Sequence, residues 1–108
     1  MKVYSLKTCD TCRKALREMT DAGLDFELHD IRADGLDAAD IAAMAEAFGD
    51  KVINRASTTW RGLDDAQKDR PAVELIAENP TLLKRPVILK DGIWFQGWTP
   101  AVKTAVLG

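Results

Sequence analysis

The sequence predicts an α/β fold with a mixed four-stranded sheet, in which a βαβ half and a ββα half flank an inserted helical block. Three observations support this prediction. Two short apolar runs near the start of the chain are separated by a helical pattern. The region from about residue 37 to residue 80 is helical in its periodicity, and two further strand-like runs flank an Asp-Gly turn before a last helical segment.

The first half has the pattern of a βαβ unit. Residues 3–6 predict a short strand, and the helical pattern over residues 10–22 follows it. A second strand is predicted over residues 25–30, where Phe26 and Leu28 alternate with polar neighbours. Because a helix connects the two strands, we expect them to be parallel with a right-handed crossover.

The middle of the chain predicts three helices. Asp37 can cap the first, and Gly49 ends it. Its apolar residues recur at helical spacing, at Ile41, Met44 and Phe48. A short helix is expected near residues 63–68, and Pro71 suits the first position of a third helix that ends at residues 79–80.

The second half predicts a β-hairpin and a final helix. Strands over residues 87–90 and 93–96 flank Asp91-Gly92, a two-residue turn of the type that requires positive φ. Thr99 caps the last helix and Pro100 opens it. A βαβ half and a ββα half on one sheet make a thioredoxin-like architecture, and the early first strand favours its compact glutaredoxin-like layout. We expect residues 1–108 to form a single domain with a helical insertion at about 37–80.

Composition excludes several classes of function. The formal net charge is −2, so no global basic field favours nucleic acid or an anionic membrane. No apolar run approaches the roughly 20 residues that a bilayer requires, and the opening residues begin a strand rather than a signal peptide. We therefore expect a cytoplasmic monomer with no nucleic acid or membrane partner, in a compartment where thiols are kept reduced.

Two cysteines lie at the start of the first predicted helix. Unpaired backbone N–H groups and the helix dipole favour an anion there, so the pKa of Cys9 should lie below the ordinary value of about 8.5. Cys12 lies one turn later on the same face. Such a pair supplies an attacking sulfur and a resolving sulfur, which thiol–disulfide exchange requires.

Other interpretations of the cysteine pair stay open at this point. A structural zinc site takes four ligands, and the chain offers two cysteines and one histidine, His29, so a carboxylate or a second protomer would be needed. A structural disulfide would close a very short loop and stabilise little. Two inert buried thiols are a third interpretation. The redox interpretation is favoured, and we expect no metal and no tightly bound cofactor.

Three separated motifs strengthen the redox interpretation. In chain order they are Cys9-Asp10-Thr11-Cys12-Arg13-Lys14-Ala15, then Asn54-Arg55 with Thr58-Thr59-Trp60-Arg61, then Lys84-Arg85-Pro86-Val87. Together they resemble the arsenate reductase (ArsC)/Spx family over nearly the whole chain, most closely its short YffB-like reductase branch. The resemblance implies a thioredoxin-like fold with Cys9 as the nucleophile.

The resemblance also implies roles for residues outside the cysteine pair. It places catalytic-site arginines at Arg55 and Arg85, and a cis peptide bond before Pro86. A guanidinium presents a planar fork of donors that suits a carboxylate, an oxyanion or a thiolate. Near the cysteines, Thr8 and Thr11 offer hydroxyls and Arg13 offers a positive charge. We expect these three residues and Pro86 to contribute to substrate binding.

These residues predict a glutathione-dependent thiol–disulfide oxidoreductase, with glutaredoxin as a further candidate partner. One alternative is an arsenate reductase that uses glutathione and glutaredoxin. The arsenate-reducing members carry a third arginine after the last strand, whereas residues 95–100 of this chain are Phe-Gln-Gly-Trp-Thr-Pro, with Gly97 the best match to it. Losing one charge-assisted contact costs about 1.5 to 3 kcal/mol, so we expect arsenate to bind poorly.

A second alternative belongs to another class of function. Spx-like members use a C-x-x-C pair as a redox switch and act by binding RNA polymerase. Those members typically extend beyond the last helix, whereas this chain stops at Gly108, so we expect the enzyme rather than the regulator.

Overall fold

A computed structural model describes all residues, 1–108. Four strands and six α-helices follow one another as β1 (Lys2–Ser5), α1 (Asp10–Asp21), β2 (Glu27–Asp30), α2 (Ala38–Phe48), α3 (Thr58–Arg61), α4 (Asp65–Lys68), α5 (Ala72–Glu78), β3 (Val87–Lys90), β4 (Ile93–Gln96) and α6 (Pro100–Leu107). Short 3-10 turns cover Gly49–Val52 and Pro80–Leu82. None of the helices has the length and apolar character needed to cross a membrane.

The four strands form one mixed sheet in the order β2-β1-β3-β4. β1 and β2 are parallel, as the βαβ pattern predicts, and β3 is antiparallel to both β1 and β4. The hairpin turn lies at Asp91 and Gly92, which both have positive φ, at 51° and 78°. The mixed four-stranded sheet expected from the sequence is therefore confirmed.

The chain divides into two compact units. The first contains residues 1–31 and 85–108, and so holds the whole sheet with α1 and α6. Its core consists of the buried residues Val3, Ala15, Met19, Ile88, Trp98 and Val106. Burying a side chain such as Met19 or Ile88 contributes about 1.5 to 3 kcal/mol, so packing against α1 and α6 stabilises the central strands.

The second unit is residues 32–84 and contains α2 to α5. Its fully buried residues come mainly from α2, α5 and the 3-10 turns, and include Ile41, Met44, Val52, Leu75, Ile76 and Leu82. Two backbone hydrogen bonds join its distant segments, from Asn54 N to Leu82 O at 2.8 Å and from Lys84 N to Val52 O at 3.0 Å. This unit is the helical block that the sequence predicts.

Two elements differ from the sequence prediction. Near residues 63–68 the structure has α4, which begins only at Asp65, and α3 precedes it. Each has its own cap, because Ser57 Oγ accepts from Trp60 N at 3.1 Å and Asp64 Oδ1 accepts from Gln67 N at 2.8 Å. β2 is shorter than residues 25–30, and Leu28 is 53% exposed because β2 is an edge strand.

Candidate thiol site

The turn between β1 and α1 places Cys9 at the N-terminus of the helix. Cys9 N donates to Leu6 O at 3.0 Å, and the residue has the extended backbone (φ −90°, ψ 115°) of an N-cap. Its Sγ accepts a hydrogen bond from the backbone N–H of Cys12 at 3.4 Å. The sulfur therefore takes the position that a capping oxygen usually occupies, directed at the helix's unpaired N–H groups.

The surroundings of Cys9 favour its thiolate. Partial burial alone would raise the pKa of Cys9, but hydrogen bonds from the Cys12 side chain and backbone and from the Arg85 side chain outweigh it. The positive charge of Arg85 acts in the same direction. The net effect holds the pKa of Cys9 below its ordinary value, as expected for a sulfur at a helix N-terminus.

Cys12 has the opposite character. It is fully buried in α1, and burial together with its hydrogen bond to Cys9 raises its pKa to about 12. Both cysteines are free thiols in the structure. The pair is thus an accessible sulfur that favours the thiolate beside a buried one that keeps its proton.

Strand pairing brings the Arg85-Pro86 segment to the same end of the sheet as Cys9. Tyr4 pairs with Val87 in the antiparallel β1–β3 ladder, so the chain leaves β1 and enters β3 at the same end of the sheet. The Arg85–Pro86 peptide bond is cis, as the family resemblance implies. The carbonyl of Pro86 accepts from the backbone N–H of Gly97 at 2.8 Å, which ties it to the segment after β4.

The substrate-binding residues predicted near the cysteines lie at the surface. Thr8 and Thr11 are exposed on either side of Cys9. Arg13 pairs with Asp10 at 2.8 Å, and both side chains are more than half exposed. The charge of Arg13 is thus paired with a carboxylate and screened by water. The structure therefore assigns the main positive charge at the thiol to Arg85.

Arg55 belongs to the second unit, whereas the cysteines and Arg85 belong to the first. Its exposed guanidinium lies 5.7 Å from the centre of the Trp60 ring, and the ammonium of Lys68 lies 5.6 Å from the same ring. Cation–π attraction at these distances restricts the arginine. Asn54 Oδ1 also accepts from Ala56 N at 3.1 Å and so fixes the turn that carries Arg55.

Two features of the site have no signal in the sequence. Gly97 is buried with φ 78°, so an arginine at this position would strain the backbone. Glu18 in α1 accepts a hydrogen bond from the Trp98 indole, 80 residues later in the chain.

No group of three or more His, Cys, Asp or Glu side chains is arranged to hold a metal ion.

Comparison with known sequences identifies relatives over most of the chain. The ArsC family model matches residues 4–101. An uncharacterized protein of Haemophilus influenzae is 46% identical over 95 residues, 83% of this chain and 83% of its own. The global transcriptional regulator Spx 1 of Oceanobacillus iheyensis is 30% identical over 82% of this chain and 72% of its own.

Comparison with solved structures gives the same grouping. A YFFB protein structure is 34% identical, covers 99% of this chain and 98% of its own, and superimposes with a TM-score of 0.90. An arsenate reductase (ArsC) related protein from Brucella melitensis is also 34% identical, covers 96% and 91%, and has a TM-score of 0.76. These likenesses confirm the thioredoxin-like fold predicted from the sequence.

Proposed function

This chain belongs to the ArsC family, and from that premise we propose that it is a cytoplasmic thiol–disulfide oxidoreductase with Cys9 as nucleophile and glutathione as thiol co-substrate. One observation supports the proposal above the others: Cys9 caps a helix, accepts the Cys12 N–H and is hydrogen-bonded by Arg85, so its pKa lies below the ordinary value and its thiolate is more populated than that of a free cysteine. The thiolate is the form that attacks a disulfide.

In the first step, the Cys9 thiolate attacks one sulfur of a mixed disulfide between glutathione and a substrate thiol. A new S–S bond forms between Cys9 and glutathione, and the substrate leaves as a thiolate that takes a proton from water. The substrate sulfur is thereby reduced. Cys9 carries no negative charge while it is glutathionylated.

In the second step, Cys9 is released by either of two thiols. A second glutathione can attack directly, which gives oxidised glutathione and the Cys9 thiolate. Alternatively Cys12 attacks, expelling glutathione and forming an internal disulfide that two further glutathione molecules, or glutaredoxin, reduce. Loss of the Cys9 charge removes two of the causes that raise the pKa of Cys12, so glutathionylation itself favours this attack.

We propose that the anion-binding groups of the first unit serve the co-substrate. Glutathione carries two carboxylates, and Arg85 offers a planar fork of donors beside the reacting sulfur. Backbone groups next to Pro86 can pair with the peptide part of glutathione. We also propose Arg55, which lies against Trp60 in the second unit, as an anion-binding residue. The chemistry needs no metal, flavin or nicotinamide in this chain, because thiols deliver the electrons.

Turnover of a defined mixed disulfide tests the proposal. We expect the protein to reduce the mixed disulfide of glutathione and 2-mercaptoethanol. Turnover is measured as NADPH oxidation by glutathione reductase, which reduces the oxidised glutathione that forms. Cys9→Ser should abolish turnover, since no nucleophile is left. Cys12→Ser should retain part of it, because glutathione can resolve the intermediate directly. Full activity of the Cys9→Ser protein would contradict the proposed function.

The Spx relatives support a second candidate, a redox-sensing regulator that binds RNA polymerase. In that case the Cys9–Cys12 pair would change partner affinity on oxidation rather than turn over. A pull-down with the C-terminal domain of the polymerase α-subunit, under reducing and then oxidising conditions, distinguishes the two. Redox-dependent binding without disulfide turnover would favour the regulator.

A further inference from the structure

Glu18 connects two segments of the first unit through its carboxylate. One oxygen accepts a hydrogen bond from the indole N–H of Trp98, which lies between β4 and α6. The other lies 3.3 Å from Nζ of Lys103 in α6. The Trp98 side chain is almost completely buried, whereas that of Glu18 is about one-third exposed. The carboxylate thereby joins the segment after β4 to α1, the helix that Cys9 caps.

The segment held by Trp98 continues to the thiol site. Gly97 directly precedes Trp98, and its backbone N–H donates to the carbonyl of Pro86 at 2.8 Å. Pro86 in turn follows Arg85, whose side chain hydrogen-bonds Cys9. A continuous path of hydrogen bonds and adjacent residues therefore leads from the indole to the guanidinium at the sulfur.

We propose that Glu18, by holding the Trp98 indole, positions the Arg85 guanidinium at the thiol site. The inference rests on the proposed role of Cys9 as nucleophile. Glu18 lies more than two helical turns after Cys9 and contacts it at no point, so it acts as a positioning residue. If the indole is released, the Gly97 segment loosens its hold on Pro86 and the guanidinium is less well ordered.

If Glu18 is removed, its direct electrostatic effect and its positioning effect change the pKa of Cys9 in opposite directions. The negative charge of Glu18, acting through space, disfavours the Cys9 thiolate, so its removal alone would lower the pKa of Cys9. Loss of positioning weakens the contact between Arg85 and the thiolate and therefore raises the pKa of Cys9. The sign of the change tells the two effects apart.

Two variants remove the hydrogen bond between Trp98 and Glu18, which we call the link, and two other variants serve as controls. Trp98→Phe keeps an aromatic ring in the core but removes the N–H donor, and Glu18→Ala removes the acceptor. Glu18→Gln removes the charge while its amide oxygen can still accept from the indole. Lys103→Met removes the other partner of Glu18 and leaves the link intact.

The rate at which iodoacetamide alkylates Cys9 is measured across pH, with the modified cysteine quantified by peptide mapping. Circular dichroism gives the melting temperature of each variant. In Trp98→Phe and Glu18→Ala we expect the pKa of Cys9 to rise and alkylation below the wild-type pKa to slow about threefold to tenfold, because the rate follows the thiolate fraction. Glu18→Gln and Lys103→Met should show no such slowing.

An unchanged or lowered pKa of Cys9 in folded Trp98→Phe and Glu18→Ala proteins would overturn the inference, and a lower melting temperature alone would make the link purely structural. Trp98→Phe keeps the core ring and so gives an answer even if Glu18→Ala does not fold. Alkylation needs no turnover, so the result is independent of whether the protein reduces a disulfide.

Discussion

The Cys9 thiol and the Cys12 thiol lie one helical turn apart, and their surroundings favour opposite charge states. Cys9 is half-buried and receives hydrogen bonds from a backbone N–H and a guanidinium. Cys12 is fully buried, and its pKa is raised to about 12. The attacking and resolving roles that we propose for the two sulfurs therefore rest on position within a single turn of the chain.

At the scale of one residue, Arg85→Lys tests whether the guanidinium fork matters beyond its charge. We expect the fold to persist, the pKa of Cys9 to rise, and turnover of the glutathione mixed disulfide to fall about tenfold, since one charge-assisted contact of about 1.4 kcal/mol is worth that factor. Arg17→Lys, at an exposed position in α1, is the matched control and should behave as wild type. Equal turnover of the two variants would show that charge alone suffices.

The helices show how local chemistry sets the bounds of an element. α2 ends at Phe48 with Gly49 as its C-cap, and α6 begins at Pro100 after the Thr99 cap, as the sequence predicts. These signals are local, so sequence reasoning finds them. The sequence predicts α4 with a start two residues too early and does not predict α3, because each is a single turn that depends on one capping side chain rather than on apolar periodicity.

At the scale of the element, Thr99→Ala tests the cap of α6. Thr99 Oγ1 accepts from Val102 N at 3.3 Å, so its removal should lower the free energy of unfolding by about 1 kcal/mol. Thr99→Ser keeps the hydroxyl and should retain most of the stability. Chemical denaturation of the three proteins measures the difference, and an Ala variant as stable as the Ser variant would show that this cap is not stabilising.

At the scale of the whole molecule, the mixed four-stranded sheet follows from the sequence but the long-range side-chain contacts do not. Alternation and the Asp91-Gly92 turn predict a mixed sheet, which the structure has. The hydrogen bond from Trp98 to Glu18 spans 80 residues and leaves no periodicity or spacing to detect. The exposure of Leu28 likewise depends on β2 being an edge strand, a property of the assembled sheet.

The positions of the arginines in this chain predict that it prefers a glutathione mixed disulfide to arsenate. Residues 97–100, directly after β4, include no basic residue, and Gly97 is buried in a left-handed conformation. Supplied with glutathione and glutaredoxin, the protein should therefore reduce arsenate at least about tenfold less efficiently than a glutathione mixed disulfide. Both reactions can be followed by coupled NADPH oxidation. Arsenate reduction as efficient as disulfide reduction would show that an arginine after β4 is not needed.

The central claim is that Cys9 is the reactive thiolate of this protein. The most direct measurement is alkylation of the reduced wild-type protein across pH, with each cysteine quantified by peptide mapping. Because the pKa of Cys9 lies below its ordinary value, Cys9 should be alkylated faster than Cys12 at neutral pH, and its rate should decline as pH falls through that lowered pKa. Cys12 should react only as pH rises toward 12. Equal reactivity of the two thiols at neutral pH, or preferential modification of Cys12, would contradict the account.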